Sequence, residues 1–382
     1  MSKRSLGLDA IRLTACVMVV AFHASVTASM PKYFGQQVYG WLFEVESIRM
    51  PLFFVLSGYL MSTLYLSKAV GSDVAMDFLL KRLKKIYPLY WAMLGIMSLA
   101  TFLAIGFLPF EDLGILFKTI LLMPQDPRVV GGTGAPIVYP AWVLQYEMVA
   151  YILIALSLLS RAFFGLFLLS WPLVYIFLTG SDVWLLSFLG SQWFLIFWFG
   201  VVLGQVLPAS KQYRGMAAVW AVCLFAAALS ARLLGYISES AEELIFGLAF
   251  CGLIVAVRSY AYLDVKNWVG HLVRTGSDAS YAIFLIHIGV VSAVCRIIRG
   301  LGLSGAWGHL SSVILCLTIS FVVGVWVNRH VEPRIARLLS RSPRMVRPPT
   351  SGAQLSPAQP WTARLWQSDR TQSVTDDRSP SL

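Results

Sequence analysis

The chain has 382 residues, 58% of them hydrophobic and only 13% charged, and its mean hydropathy is +0.71. A water-soluble domain carries about a quarter charged residues, so this composition excludes a soluble fold and requires most of the chain to face lipid. The net charge of +11 does not imply a nucleic acid partner, because membrane proteins collect basic residues beside anionic headgroups on the cytoplasmic side.

At about 20 apolar residues per crossing, spans are expected near residues 11–29, 48–66, 86–108, 141–160, 163–179, 183–206, 215–235, 241–258, 277–298 and 308–329. The runs are continuous, which makes them helices and not the short alternating strands of a barrel. The expected fold is all-α, a polytopic membrane helix bundle of about ten transmembrane helices. The apolar piece from Leu113 to Met123 is too short to cross and reads as re-entrant or interfacial. Lys and Arg in the short loops set the orientation. Lys3, Arg4, Lys68, Lys81, Arg82, Lys84, Lys85, Arg161, Lys211, Arg214, Arg258, Lys266 and Arg274 outnumber Lys32, Arg49, Lys118, Arg128, Arg232, Arg296 and Arg299 on the alternate loops. Both termini are therefore expected in the cytoplasm.

The first span begins like a secretory signal, with Lys3, Arg4, an apolar run, and Ala28 and Ser29. With nine further spans behind it, it reads as a retained helix. It carries Arg12 and His23, eleven residues and almost three turns apart, so both project from one face about 16 Å apart along the axis. Arg12 fits a snorkelling boundary arginine, neutralised by Asp9 one turn earlier, as well as it fits a functional cation. His23 stands among Val, Ala, Met and Phe. An imidazole can accept and return a proton near neutrality, as a hydroxyl attacking a thioester requires. A buried hydrogen-bonding histidine and a metal ligand are the other readings, the latter disfavoured because no second ligand stands at a suitable spacing in that helix.

The second span contains RMPLFFVLSGYLM (Arg49 to Met61), in which Ser57 and Gly58 fit helix packing. KRLKKIYPLYW (Lys81 to Trp91) opens the third span. Arg82 and Lys85 share a face there, suited either to anchoring or to the phosphates of a cytoplasmic cofactor. The loop from Pro109 to Pro140 holds Gly131, Gly132 and Gly134, without the Lys-Ser/Thr that a phosphate loop needs; it reads as a flexible lid, an acceptor-side loop or a connector. Glu147, in the fourth span, is costly in lipid unless paired. It fits orienting His23, holding acceptor hydroxyls or pairing with an arginine. His287 lies mid-span in SYAIFLIHIGVV (Ser280 to Val291). The five cysteines, Cys16, Cys223, Cys251, Cys295 and Cys316, all fall in spans without CxxC spacing and read as packing residues. One membrane domain is expected over residues 1–333. A basic, Pro- and Ser-rich cytoplasmic tail, expected to be disordered beyond about 342, follows over residues 334–382.

Taken in order, these segments resemble the acyltransferase 3 family of bacterial membrane O-acyltransferases, and particularly the branch that acetylates exopolysaccharides and other surface sugars. LDAIRLTACVMVVAFHA resembles the family's Arg-to-His first helix, PLFFVLSGYL its FFxxSG signature and RLKKIYPLYW its basic start to the third helix. PAWVLQYE resembles its W-x-L-x-x-E segment, and SYAIFLIH its closing segment. Two departures stand out: the family's RxxR pair is Arg82 and Lys85 here, and Met50-Pro51 replaces an acidic residue common before FFxxSG.

The resemblance implies a protein of the bacterial inner membrane. Acetyl-CoA or another acyl-CoA is the implied cytoplasmic donor, with no metal, and a lipid-linked or extracytoplasmic glycan is the implied acceptor. Membrane lipids surround the protein, and nucleic acid has no part. It implies Arg12, Arg82, Lys85 and Ser57 as the cofactor-binding set and His23, Glu147 and His287 as the catalytic set. The rival class is a transporter or flippase of a lipid-linked sugar, whose usual sign, paired Gly/Pro-broken helices in two halves, is absent from this sequence. A structural or sensor protein is a third class; it would leave Arg12 and His23 freely replaceable.

Overall fold

The apolar runs become helices where a polar side chain takes up the backbone N–H groups that a helix start leaves unpaired. In the computed structural model, which describes residues 5–35, 46–66, 70–106, 112–207, 212–258 and 267–340, Ser5 caps α1 (Leu6–Ser29) by accepting from the Leu8 amide at 3.4 Å. Asn267 does the same for α12 (Trp268–Gly300), at 3.0 Å from the Gly270 amide. Between them run α2 (Glu46–Met61), which ends in a π-helical turn at Ser62–Leu66, α3 (Ser72–Ile105), α4 (Leu113–Ile120), α5 (Pro127–Val130), α6 (Ala141–Leu159), α7 (Arg161–Leu178), α8 (Trp184–Leu189), α9 (Gln192–Val206), α10 (Arg214–Leu233) and α11 (Glu239–Arg258). After α12 come α13 (Gly305–His330) and α14 (Glu332–Ser340). Every regular element among the described residues is helical, and ten of their helical stretches are long and apolar enough to cross a membrane. Lys3, Arg4, Lys68, Lys211, Lys266 and the tail beyond residue 340 lie outside the described residues.

Several helices overrun the expected spans. The third begins at Ser72, so Arg82 and Lys85 sit inside a continuous helix of 34 residues and not in a loop. The expected span 183–206 is two helices, α8 and α9, joined at Gly190, where a Cβ would overlap the backbone of Leu178 and Thr179. Leu113 to Met123 forms only the eight-residue α4. Tyr87, Tyr90 and Trp91 of α3 donate to the carbonyls of Leu121, Thr119 and Ile120 at its end, which satisfies acceptors that lipid cannot.

The centre is built by α1, α2, α6, α9, α11, α12 and α13, with α1 against α12 and α13 and α2 against α9 and α11. About 61% of the apolar stretches 48–66 and 141–159 is buried within the protein, against 17% of α7 and 11% of α10, which lie at the rim facing lipid. Close approach at the centre depends on glycine. A Cβ at Gly58 would overlap the Phe197 carbonyl oxygen, one at Gly200 the Val55 carbonyl oxygen, and one at Gly324 the side chain of Ile283. Backbone contacts of this kind are what hold helices together where lipid removes the hydrophobic driving force. Gly200→Ala is expected to push α2 and α9 apart at a cost of roughly 1–3 kcal/mol, read as a lower unfolding temperature of the detergent-solubilised protein. An unchanged temperature would mean that this crossing adapts freely.

Candidate active site

A cavity of about 320 Å³ lies among α1, α2, α3, α6 and α12. Lys85 and Asp278, both exposed, mark its mouth on the face where α1 begins. Arg12, Ser57, Arg82, Lys85 and Glu147, five of the residues singled out from the sequence, line this one space. The helix periodicity that placed Arg12 and His23 on one face of α1 thus turns Arg12 toward the centre, together with Ala15, Cys16 and Val19.

Arg82 is held in an aromatic cage. Its Nη2 donates to the Tyr65 hydroxyl at 2.6 Å, and its guanidinium carbon lies 5.1, 5.6 and 5.7 Å from the ring centres of Tyr65, Phe78 and Tyr151. Its Nε is buried without a hydrogen-bond partner among the described residues, a donor aimed at something the protein alone does not supply. Glu147, buried, accepts from Ser57 Oγ at 3.2 Å, so this serine reaches across to a carboxylate and not back along its own helix. Asp9 accepts from Ser277 Oγ at 2.9 Å. Lys85 pairs with Glu332 at the start of α14, and Glu332 also accepts from Asn328 Nδ2 at 3.2 Å.

His23 and His287 stand together elsewhere. Their rings are 5.2 Å apart at a tilt of 37°. His287 is fully buried and its Nδ1 donates to the Phe284 carbonyl at 2.6 Å. Because a carbonyl only accepts, the proton is on Nδ1 and Nε2 is the basic nitrogen, and that Nε2 has no partner among the described residues. His23 is partly accessible and meets the Tyr139 ring edge-on at 5.8 Å. No described hydrogen bond joins Glu147 to His23. Between the cavity and the histidines stand Phe53 and Phe284, stacked with centres 6.0 Å apart and planes 10° from parallel; both line the cavity, and Phe284 touches the His287 ring at 5.8 Å. A file of rings, Phe53, Phe284, His287, His23 and Tyr139, therefore leads from the cavity to the opposite face.

The structure thus separates a cation-lined chamber from a histidine pair. Residues 5–329 match the acyltransferase 3 family, described as an acyltransferase domain. The chain belongs to that family. It is an enzyme, a membrane acyltransferase of the kind that transfers groups other than aminoacyl groups. It is also similar to the exopolysaccharide production protein ExoZ of Rhizobium meliloti (strain 1021), 26% identical over 311 residues, which cover 78% of this chain and 92% of that one. No solved structure matches it.

The acyltransferase carries features beside the histidines that its sequence hid. Arg49, counted among the loop cations, is 5% exposed, and its guanidinium carbon sits 3.5 Å from the centre of the Phe22 ring, next to His23. A cation flattened on an aromatic face inside the bundle is a local charge beside the histidine pair; its only sequence signal is its place two residues before PLFF. The loop above the histidines is held in shape. Gln145 Nε2 donates to the Met123 and Gly134 carbonyls at 3.1 and 2.9 Å, and Gly131, Gly132 and Gly134 take positive φ. The glycine run thus serves a turn that other residues adopt poorly. Among the described residues no group of three or more His, Cys, Asp or Glu could hold a metal ion.

Proposed function

We propose that this acyltransferase moves an acetyl or other short acyl group from cytoplasmic acyl-CoA to a sugar hydroxyl of an exopolysaccharide or other surface glycan. In this reading it sits in a bacterial inner membrane, with both termini in the cytoplasm and one membrane domain over residues 1–333. The observation that carries the reading is that Arg12, Arg82 and Lys85 line a chamber opening on one face while His23 and His287 lie beyond its floor, toward the other. Acyl-CoA has charged phosphates at one end and a thioester at the end of a long arm, so it fits a grip and a reaction centre set about 16 Å apart along α1. The caged Arg82, with its unpaired Nε, supports phosphate binding, since guanidinium bonds to phosphate are charge-assisted and directional. Orientation is supported by Lys81, Lys84, Arg161, Arg214 and Arg274 on the chamber-mouth face. The glycan acceptor is supported by the similarity to ExoZ.

The reaction follows simply. The sugar hydroxyl gives its proton to His23 as its oxygen bonds to the thioester carbonyl carbon; the carbon–sulfur bond then breaks, and the leaving thiolate takes up the proton as free coenzyme A. His287 backs the His23 ring, while Glu147 and Ser57 counter the cations of the chamber. Incubating the purified protein with radiolabelled acetyl-CoA and surface polysaccharide from a deletion strain tests the function, because label appearing in the polysaccharide requires an acyltransferase and a flippase transfers none. Glu332→Gln releases Lys85 and is expected to lower the donor KM by about 5-fold at most, the range of an exposed ion pair worth up to ~1 kcal/mol. An unchanged KM would remove Lys85 from the donor site.

A further inference from the structure

The chamber has a neighbour. A second cavity of about 320 Å³ lies between α3 and the junction of α13 with α14, and Lys85 lines both spaces. They therefore adjoin at the chamber mouth, on the face where α1 begins. Neither the phosphate grip nor the proton transfer uses the second one.

Its lining is of two kinds. Pro88 and Leu89 of α3 face Ile335 and Ala336 of α14 as apolar walls, and two polar groups among them have capacity left over. Lys84 is exposed and makes no hydrogen bond or ion pair with any described residue. Glu332 uses one carboxylate oxygen, Oε2, for Lys85 and for Asn328 Nδ2 at 3.2 Å. Its Oε1 is buried without a hydrogen-bond partner among the described residues, and a buried acceptor of that kind calls for a donor from outside the protein. The groove thus offers a cation, an unmet anionic acceptor and an apolar bed in one place.

A ligand that matches it carries an anion, a hydrogen-bond donor and an apolar body. The adenosine 3′-phosphate end of acyl-CoA has all three, in its phosphate, its exocyclic amine and its purine ring. That end also needs room: the chamber stands at the lower limit of the roughly 300–1,000 Å³ that small-molecule pockets take, and the arm reaching toward His23 fills it. We propose that the groove between α3 and α14 seats the adenosine 3′-phosphate of the acyl-CoA donor. Lys84 meets the 3′-phosphate in a charge-assisted bond, Glu332 Oε1 accepts from the adenine amine, and Lys85, at the junction, holds the pyrophosphate. The inference rests on the donor reading above and adds to it the part of the donor that stays outside the chamber. Glu332→Gln keeps an oxygen for the amine and so acts through Lys85.

The test measures kcat/KM in membranes carrying the full-length protein, with surface polysaccharide from a deletion strain as acceptor and three donors. These are acetyl-CoA, acetyl-dephospho-CoA, which lacks the 3′-phosphate, and S-acetyl-4′-phosphopantetheine, which lacks the adenosine as well. The wild type is expected to favour acetyl-CoA over the phosphopantetheine donor at least tenfold, as the loss of a hydrogen bond to a charged group implies (about tenfold or more). Lys84→Ala is expected to lower kcat/KM for acetyl-CoA by about 3- to 5-fold, the upper range of an exposed ion pair, and to leave the other two donors unchanged. Ala336→Trp, which fills the groove from its rim, is expected to reduce use of acetyl-CoA about tenfold and to spare S-acetyl-4′-phosphopantetheine. Equal losses with all three donors would mean that the variants distort the chamber mouth, and no loss with acetyl-CoA would leave the groove to a lipid headgroup; either result overturns the proposal, as does a wild type indifferent to the adenosine. If Ala336→Trp does not reach the membrane in normal amount, Lys84→Ala decides alone. A wild type that uses none of the three donors would instead overturn the donor reading, and the groove with it.

Discussion

Replacing His23 by alanine is expected to abolish acyl transfer, reducing the rate by about 10²- to 10⁴-fold, the contribution of a positioned general base. The geometry divides the labour of the two histidines. His287 is sealed at 0% exposed with its Nδ1 bound to a carbonyl, so it has one tautomer and one orientation and cannot meet an acceptor directly. His23 is the accessible partner, bordered by Tyr139 on the loop side and by the Arg49–Phe22 contact. Alanine in its place removes the base and leaves a helix former, so the protein should still insert and fold. The decisive measurement is label transfer from acetyl-CoA at matched amounts of membrane-inserted protein. Transfer at the wild-type level would show that His23 is a packing residue. His287→Ala should also lower the rate, but by less, and it should lower stability because it opens a cavity in a closed core.

Arg82→Ala carries the second large effect, expected on donor affinity and not on the chemical step. Losing one charge-assisted hydrogen bond costs about 1.5–3 kcal/mol, a 10- to 150-fold rise in the KM for acyl-CoA with kcat little changed. The cage makes a sharper prediction. Tyr65, Phe78 and Tyr151 hold a flat guanidinium, and an ammonium neither stacks there nor presents a fork to phosphate. Arg82→Lys should therefore recover little of the loss. Steady-state kinetics with varied acyl-CoA separate the outcomes: a KM unmoved by both variants would mean that the chamber is not the donor site, whereas a fall in kcat at constant KM would move Arg82 to the reaction centre.

The family's RxxR pair shows how far local sequence reads a site. Arg82 and Lys85, three residues apart, do face one chamber, because their helix is continuous and its pitch is fixed. Their states differ for reasons no local pattern holds: Arg82 meets rings from α2's π-helical turn and from α6, and Lys85 meets Glu332 from a helix far along the chain. Glu147 shows the same boundary from another side. Its cost in lipid marked it as a paired residue, and in the chamber it accepts from Ser57 and Tyr151 and faces Arg82 and Arg12, while the histidines lie beyond Phe53 and Phe284.

Sequence alone determined the membrane bundle, its ten crossings and the polar residues worth watching, since a crossing needs a set length of apolar chain and a charge within it is costly enough to be conspicuous. Tertiary structure decided which of those residues meet: it joined His23 to His287, gathered Arg12, Arg82, Lys85, Ser57 and Glu147 in one chamber, brought Arg49 inside, and set two stacked rings between chamber and histidines. The reason is that crossing depth is written along one helix, whereas the side that each helix turns inward is set by glycine-scale contacts with helices distant in sequence.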